Sequence, residues 1–166
     1  MLKGAIYFRG GFIETYFYIS LFIMSLDKIL SVSGKPGLFK IIAQTRNGFV
    51  AESLIDQKKV TVNMHNNISV LSEIAIYTLT EEVPLRQVLK NIMDKEEGKP
   101  TSISHKDSKI KLEEYFFEVL PDYDEDRVYA SDIKKIVQWY NLLQQHEMLD
   151  ALEASSEEKE ASSEEE

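Results

Sequence analysis

Cysteine is absent from this chain of 166 residues, which excludes a disulfide framework, a thiolate metal site and a cysteine nucleophile. A cysteine-free composition favours a reducing compartment, and we expect the protein to be cytoplasmic. Its three histidines, His65, His105 and His146, stand singly, without the spacing of a metal site. We therefore expect neither a metal nor another cofactor.

The motifs of common enzyme classes are also missing. The sequence contains no G-x-S-x-G nucleophile elbow and no G-x-G-x-x-G dinucleotide fingerprint. Residues 33–37, Ser-Gly-Lys-Pro-Gly, lack the spacing of a phosphate loop and lead into a predicted strand, so a tight turn is expected there. The sequence thus predicts a protein without catalytic activity.

One acidic segment resembles a calcium-binding loop, because Asp122, Asp124 and Asp126 lie between two predicted helices. Counted from Asp122, however, position six is Arg127 where the loop needs Gly, and position twelve is Ile133 where it needs a bidentate Glu. A solvated acidic loop is the preferred interpretation, with Ser131 and Asp132 as cap and first-turn charge of the next helix. A metal-dependent enzyme using the three aspartates is the last-ranked alternative.

Charge is unevenly distributed over the chain, whose formal net charge is −9. Residues 24–79 hold six basic and four acidic side chains, whereas residues 80–150 hold ten and sixteen. This shift indicates two differently composed domains. Residues 151–166 hold seven Glu and one Lys with few apolar side chains, which predicts a disordered acidic tail.

The first 23 residues differ from the rest, because they contain seven of the 17 aromatic residues. We interpret residues 1–23 as an extension produced by a mis-assigned start ahead of Met24, or as an unstructured extension. A targeting segment is the alternative, although Glu14 interrupts its apolar run. The uncharged residues 15–26 are shorter than the roughly 20 needed to span a bilayer, so no membrane association is expected.

Short strands are predicted between residues 24 and 79. Asn47-Gly48 between two apolar runs predicts a hairpin with a type I′ turn, which needs positive φ at both residues. The last strand is expected at Ile74–Tyr77, after one helical turn at residues 68–72. The full set of expected strands is residues 30–32, 38–45, 49–54, 60–62 and 74–77. Five such strands predict a small SH3-like β barrel.

Apolar residues then recur with helical spacing between residues 80 and 150. The sequence predicts three helices: one from about Pro84, one capped by Ser108 and ended by Pro121, and one from Ser131 or Asp132. Trp139, which lies on the third helix, is expected to be buried in the hydrophobic core. The predicted fold class is therefore α+β, a small barrel followed by a helical region.

Lys35, Arg46, Lys58 and Lys59 make the predicted barrel mildly basic, and small barrels often bind nucleic acids through loops and one sheet face. These four residues are the candidate site for nucleic acid or another partner. The function that fits best is a non-enzymatic module that binds another macromolecule. A protein partner is favoured over a nucleic acid. The sequence leaves the oligomeric state open.

Three segments carry a resemblance to a known family: residues 30–39 (LSVSGKPGLF), residues 74–77 (IAIY), and residues 126–136 (DRVYASDIKKI) with Trp139-Tyr140. They resemble an uncharacterised family of small bacterial proteins, in which a domain of unknown function is joined to a helical second domain. The resemblance covers about residues 24–150. It implies the two-part architecture and no activity, substrate or catalytic residue.

Overall fold

The computed structural model describes residues 26–63 and 67–153, so the predicted extension at residues 1–23 lies outside the described residues. The fold is α+β, as predicted, with a five-stranded sheet, a two-stranded ribbon and three helices. The strands are β1 (Ile29–Val32), β2 (Phe39–Thr45), β3 (Gly48–Ser53), β4 (Lys59–Asn63), β5 (Ile68–Val70), β6 (Ala75–Tyr77) and β7 (Glu82–Pro84). The helices are α1 (Leu85–Glu96), α2 (Lys109–Val119) and α3 (Ala130–Gln145).

The large sheet is antiparallel with the order β4-β3-β2-β1-β5. Strands β4 and β5 are its two edges and are not paired with each other in the described part of the chain. The sheet is therefore open, and the predicted closed SH3-like barrel is not observed. The strand expected to complete that barrel, β6, pairs with β7 in a separate ribbon.

The segment between β4 and α1 differs from the prediction in a second way. Residues 68–72 were expected to form one helical turn, but Ile68–Val70 is strand β5, paired with β1. The helical turn is confined to Leu71–Glu73. After β6 the chain makes a tight turn into β7. The Thr78 hydroxyl closes this turn by donating to the Glu81 carbonyl at 2.7 Å and accepting from the Glu81 N–H at 3.0 Å.

The β2–β3 hairpin exists, but its predicted type I′ turn is wrong. Thr45 pairs with Gly48, so the two central residues are Arg46 and Asn47. Neither has positive φ, and neither does Gly48. The glycine lies in strand β3, where the backbone of β4 passes so close that a side chain would not fit.

All three predicted helices are confirmed by the structure. Each buries the apolar stripe that its spacing indicated, for example Leu85, Val88, Leu89 and Ile92 in α1. Ser131, however, is not the cap of α3. The helix begins one residue earlier, and the Tyr129 N–H donates to the Asp132 carboxylate at 3.1 Å.

One hydrophobic core joins the sheet to the helices and extends from Leu26 to Leu152. His146 at the end of α3 contacts the Leu54 carbonyl at 2.6 Å, and Nε2 must donate because a carbonyl only accepts. Ala151 and Leu152 are each only 1% exposed, and the Arg86 side chain donates hydrogen bonds to the backbone carbonyls of both. These two residues therefore belong to the core and not to the predicted tail, whose residues 154–166 lie outside the described residues.

The connection between α1 and α2 is held by the carboxylate of Glu96. It accepts hydrogen bonds from the Ser102 N–H at 3.0 Å, the Ser102 hydroxyl at 2.9 Å and the Tyr115 hydroxyl at 2.8 Å. Partial burial alone would raise the pKa of Glu96. The three hydrogen bonds and the Lys95 charge outweigh this effect, so the pKa of Glu96 is lowered.

This lowered pKa makes the contribution of Glu96 to stability pH-dependent. A depressed folded-state pKa stabilises the fold above the ordinary value of 4.5, and this stability is lost as the pH falls through the folded pKa. We expect Glu96→Gln to lower the urea midpoint at pH 7, and this difference from the wild type to shrink as the pH falls from 4.5 through the lowered pKa of Glu96. Glu97→Gln is the matched control, because Glu97 forms only an exposed ion pair with Lys99. A Glu96→Gln difference that stays constant as the pH falls would contradict the prediction.

Candidate interaction surface

The four basic residues predicted to form a site lie at two ends of the sheet. Lys35 is in the β1–β2 loop, Lys58 is in the β3–β4 connection, and Lys59 is the first residue of β4. These two connections meet, since the Leu54 N–H donates to the Leu38 carbonyl at 2.9 Å. Arg46 is in the β2–β3 turn at the opposite end of β2, about 20 Å away at roughly 3.3 Å per residue. The structure therefore does not bring the four residues together.

Acidic groups accompany two of these basic residues. Lys58 forms an ion pair with Asp56 at 3.2 Å, and Lys59 pairs across the strands with Glu52. A phosphate backbone approaching this end of the sheet would meet mixed charge, which gives it little net attraction.

The loop with the three aspartates is held by internal contacts. One carboxylate oxygen of Asp124 accepts from Arg127 Nε at 2.6 Å, and the other accepts from the Asp126 N–H at 3.0 Å. The hydrogen bond from Arg127 is the largest of the causes that lower the pKa of Asp124. Within residues 26–63 and 67–153, no group of three or more His, Cys, Asp or Glu side chains is arranged to hold a metal ion.

Exposed apolar side chains occur on helix α2 and on the β6–β7 turn. Helix α2 buries Leu112, Tyr115, Phe116 and Val119, yet its opposite side carries Ile110 at 67% exposure and Phe117 at 54%. These two residues are seven apart, so they lie two turns apart on one face of the helix. Leu79, at the tip of the β6–β7 turn, is 74% exposed.

An open groove of about 470 Å³ lies beside Phe117. We call it the acidic groove, because four of its lining residues are glutamates. It is lined by Glu113, Glu114, Phe117, Glu118, Tyr123 and Glu125. The groove therefore combines a half-exposed aromatic ring with carboxylates.

The segment that carries Tyr123 is held in place beside α2 by a ring contact and by hydrogen bonds to the backbone around Thr78. The Tyr123 ring packs edge-on against Phe116, with ring centroids 5.0 Å apart. The segment containing Tyr123 forms a bridge to β6, because the Leu79 N–H donates to the Asp122 carbonyl and the Asp124 N–H donates to the Tyr77 carbonyl. Arg127 adds a hydrogen bond to the Thr78 carbonyl at 3.2 Å. Leu79 and the groove are thus held in one rigid arrangement.

Tyr123 lines the groove together with Glu113 and Glu125. Burial is the largest cause that raises the pKa of Tyr123, and the charges of Glu125 and Glu113 raise it further. Two of the glutamates have basic neighbours, since Glu118 pairs with Lys95 and Glu113 pairs with Lys109. No Lys or Arg among the described residues lies within 4.0 Å of the Glu114 or Glu125 carboxylates.

A smaller cavity of about 200 Å³ lies between β6 and α3. Ile76, Ile136 and Trp139 line its apolar part, and Arg127 stands at its edge with its guanidinium carbon 4.3 Å from the centre of the Tyr77 ring. Arg127 already has three partners in Asp124, Thr78 and Tyr77. The cavity therefore offers little unused polar chemistry to a ligand.

Comparisons with known proteins place the chain in a family. Two family models match it, a domain of unknown function (DUF5606) over residues 26–71 and a domain of unknown function (DUF6852) over residues 74–143. A solution NMR structure from Bacteroides vulgatus, a structural genomics target, is 45% identical with a TM-score of 0.62, over 74% of this chain and 88% of that chain. No curated protein matches.

These matches define an α+β protein built from two successive domains of unknown function, similar to a protein solved from a bacterium. The chain belongs to the family in which the first of these domains is joined to the second, as the sequence resemblance predicted. No helix among the described residues is both long enough and apolar enough to cross a membrane.

Sequence reasoning singled out the acidic loop at residues 122–126, which contains Tyr123 and Glu125, but it did not predict the groove that this loop forms with α2. Phe117 and Ile110 lie off the buried stripe of α2, seven residues apart with Glu113 and Glu114 between them. A helical projection of the sequence would have shown Ile110 and Phe117 on one face of α2, opposite the buried stripe. Leu79 and Tyr123 gave no such signal, because only the bridge between Thr78 and Tyr123 brings their segments together.

Proposed function

We propose that this protein is a non-enzymatic interaction module of the cytoplasm, which binds another protein through the acidic groove and the apolar residues around it. The cytoplasmic location rests on the cysteine-free composition. The observation that carries the proposal is the position of the exposed apolar side chains. Ile110 and Phe117 are exposed on α2, and Leu79 is exposed on the turn that is hydrogen-bonded to the loop after α2.

This arrangement supports a protein partner for a physical reason. A half-exposed Phe117 leaves apolar area in water, and covering such area is favourable by about 25 cal/mol per Å². Clustered exposed apolar residues with a polar rim are typical of protein interaction sites. The glutamates of the groove supply that rim.

Site-specific cross-linking tests the proposal in the cells that make the protein. A photoreactive phenylalanine at position 117 of the full chain is expected to give a discrete adduct with one other protein. The matched control places the same residue at Ile42, which is 47% exposed on β2 of the sheet, away from α2. Equal adducts at both positions, or none at position 117, would refute binding through this surface.

Nucleic-acid binding through the sheet is the competing function. Purified full-length protein that binds RNA or DNA oligonucleotides, with an affinity that falls steeply with salt, would favour it. Substitution of Lys35, Lys58 or Lys59 by Ala should then weaken that binding, and each lost phosphate contact should reduce the salt slope by about one. The proposal instead expects no salt-dependent oligonucleotide binding.

A further inference from the structure

We infer that the acidic groove accepts a basic segment of the partner protein, with an apolar side chain of that segment packed on Phe117. This inference rests on the proposed function, because it names the chemistry of the partner bound there. It goes further in specifying which charge the partner brings and which two glutamates meet it.

The charge of the groove supports a cationic occupant. Its lining contains four glutamates and no basic residue. Two lysines pair with Glu118 and Glu113, which leaves Glu114 and Glu125 as the carboxylates of the groove without an ion pair within 4.0 Å among the described residues. A Lys or Arg side chain of the partner would complement these two carboxylates, and such complementarity mainly sets specificity and association rate.

The apolar part of the groove supports the same occupant. Lys and Arg side chains cover apolar surface with their methylene stems while the charged head stays in water. A cation above an exposed aromatic ring is attracted to the negative face of the ring. Phe117 stands between Glu113, Glu114 and Glu118 on one face of α2, so one basic and apolar segment can contact all of these groups.

Charge also argues against anionic partners at this surface. Nucleic-acid phosphates and anionic lipid headgroups would face uncompensated glutamates as well as the exposed Asp122 and Asp126 of the adjoining loop. Like charges that meet at an interface are unfavourable. The inference therefore commits to a protein segment rich in Lys or Arg.

Peptide titration of the full-length protein tests this chemistry. The probe is a short fluorescent peptide rich in lysine with one phenylalanine, and its counterpart has each lysine replaced by glutamate. We expect the lysine peptide to bind with an affinity that falls as salt rises, and the glutamate peptide not to bind. The Glu114→Gln/Glu125→Gln variant should weaken binding by about tenfold, and Phe117→Ser should weaken it too.

The matched control is Glu52→Gln/Glu73→Gln, which removes the same charge from the sheet and from the turn before β6. Equal weakening by both double variants would overturn the inference, because attraction would then reflect net charge alone. Unchanged binding by Phe117→Ser would overturn the apolar contact. Both double variants should keep the wild-type thermal midpoint, so that a loss of binding is not a loss of fold.

The cross-link at position 117 distinguishes failure of the proposed function from failure of the inference that the partner segment is basic. A discrete protein adduct that forms equally well in the Glu114→Gln/Glu125→Gln background would keep the proposed function and refute the basic partner. Absence of any adduct would refute the proposed function itself. An adduct that is lost in this background and kept in the control background would support both.

Discussion

Replacing Trp139 by Ala is expected to lower the free energy of unfolding by about 3–5 kcal/mol. Trp139 is only 8% exposed and belongs to the core that α3 shares with the other helices and the sheet. It also lines the cavity of about 200 Å³ between β6 and α3. Truncation would enlarge this existing space, and a cavity whose surroundings cannot collapse gives the larger losses.

The measurement is denaturant unfolding of the full chain, followed by far-ultraviolet circular dichroism because Trp139 is the single tryptophan. Phe117→Ala is the control, an aromatic residue on the neighbouring helix that is 54% exposed. We expect it to change stability by less than about 0.5 kcal/mol. An unchanged midpoint for Trp139→Ala would mean that the indole does not contribute to the core.

The helices could be predicted from the sequence because each buries a stripe that repeats every three or four residues. Leu112, Tyr115, Phe116 and Val119 show this spacing, and the structure buries all four. The pattern requires only local information, since the 3.6-residue period places these side chains on one face. Pro84 and Pro121 added boundaries that hold to within a residue or two.

The sheet was harder to predict because a strand pattern does not name its partner. Residues 74–77 have the apolar alternation of a strand, and the structure confirms a strand there. Its pairing with β7 depends on the hydrogen bonds of Thr78 with Glu81, which close the turn. The open form of the sheet follows from that pairing and could not be derived from residues 24–79 alone.

The candidate surface was missed for a related reason. The sequence directed attention to basic residues, and strand direction decides where these lie: β2 carries Arg46 to the far end of the sheet from Lys35 and Lys58. The acidic groove forms between α2 and a segment that bridges to β6. Tertiary packing brings these distant segments together, and counts of charge along the chain cannot predict it.

Replacing Gly48 by Ala is expected to destabilise the protein by about 3 kcal/mol, at the upper end of the usual cost of overpacking. A Cβ atom at this position would lie 2.0 Å from the Val62 carbonyl oxygen and 2.9 Å from the Asn63 Cα. Both are backbone atoms that cannot rotate away. Strand β4 would have to move from β3 at the Gly48–Asn63 pair, and it can do so in part because it is an edge of the sheet.

Gly34→Ala separates this steric effect from the general cost of losing a glycine. Gly34 has a φ of +78° and nothing within 4 Å of its added Cβ, so only backbone strain of about 1–2 kcal/mol is expected. Urea unfolding of both variants, with amide exchange at Val62, gives the comparison. Faster exchange at Val62 should accompany Gly48→Ala only. A loss for Gly48→Ala no larger than that for Gly34→Ala would contradict the prediction, because the close approach of β4 would then add nothing to the general cost of losing a glycine.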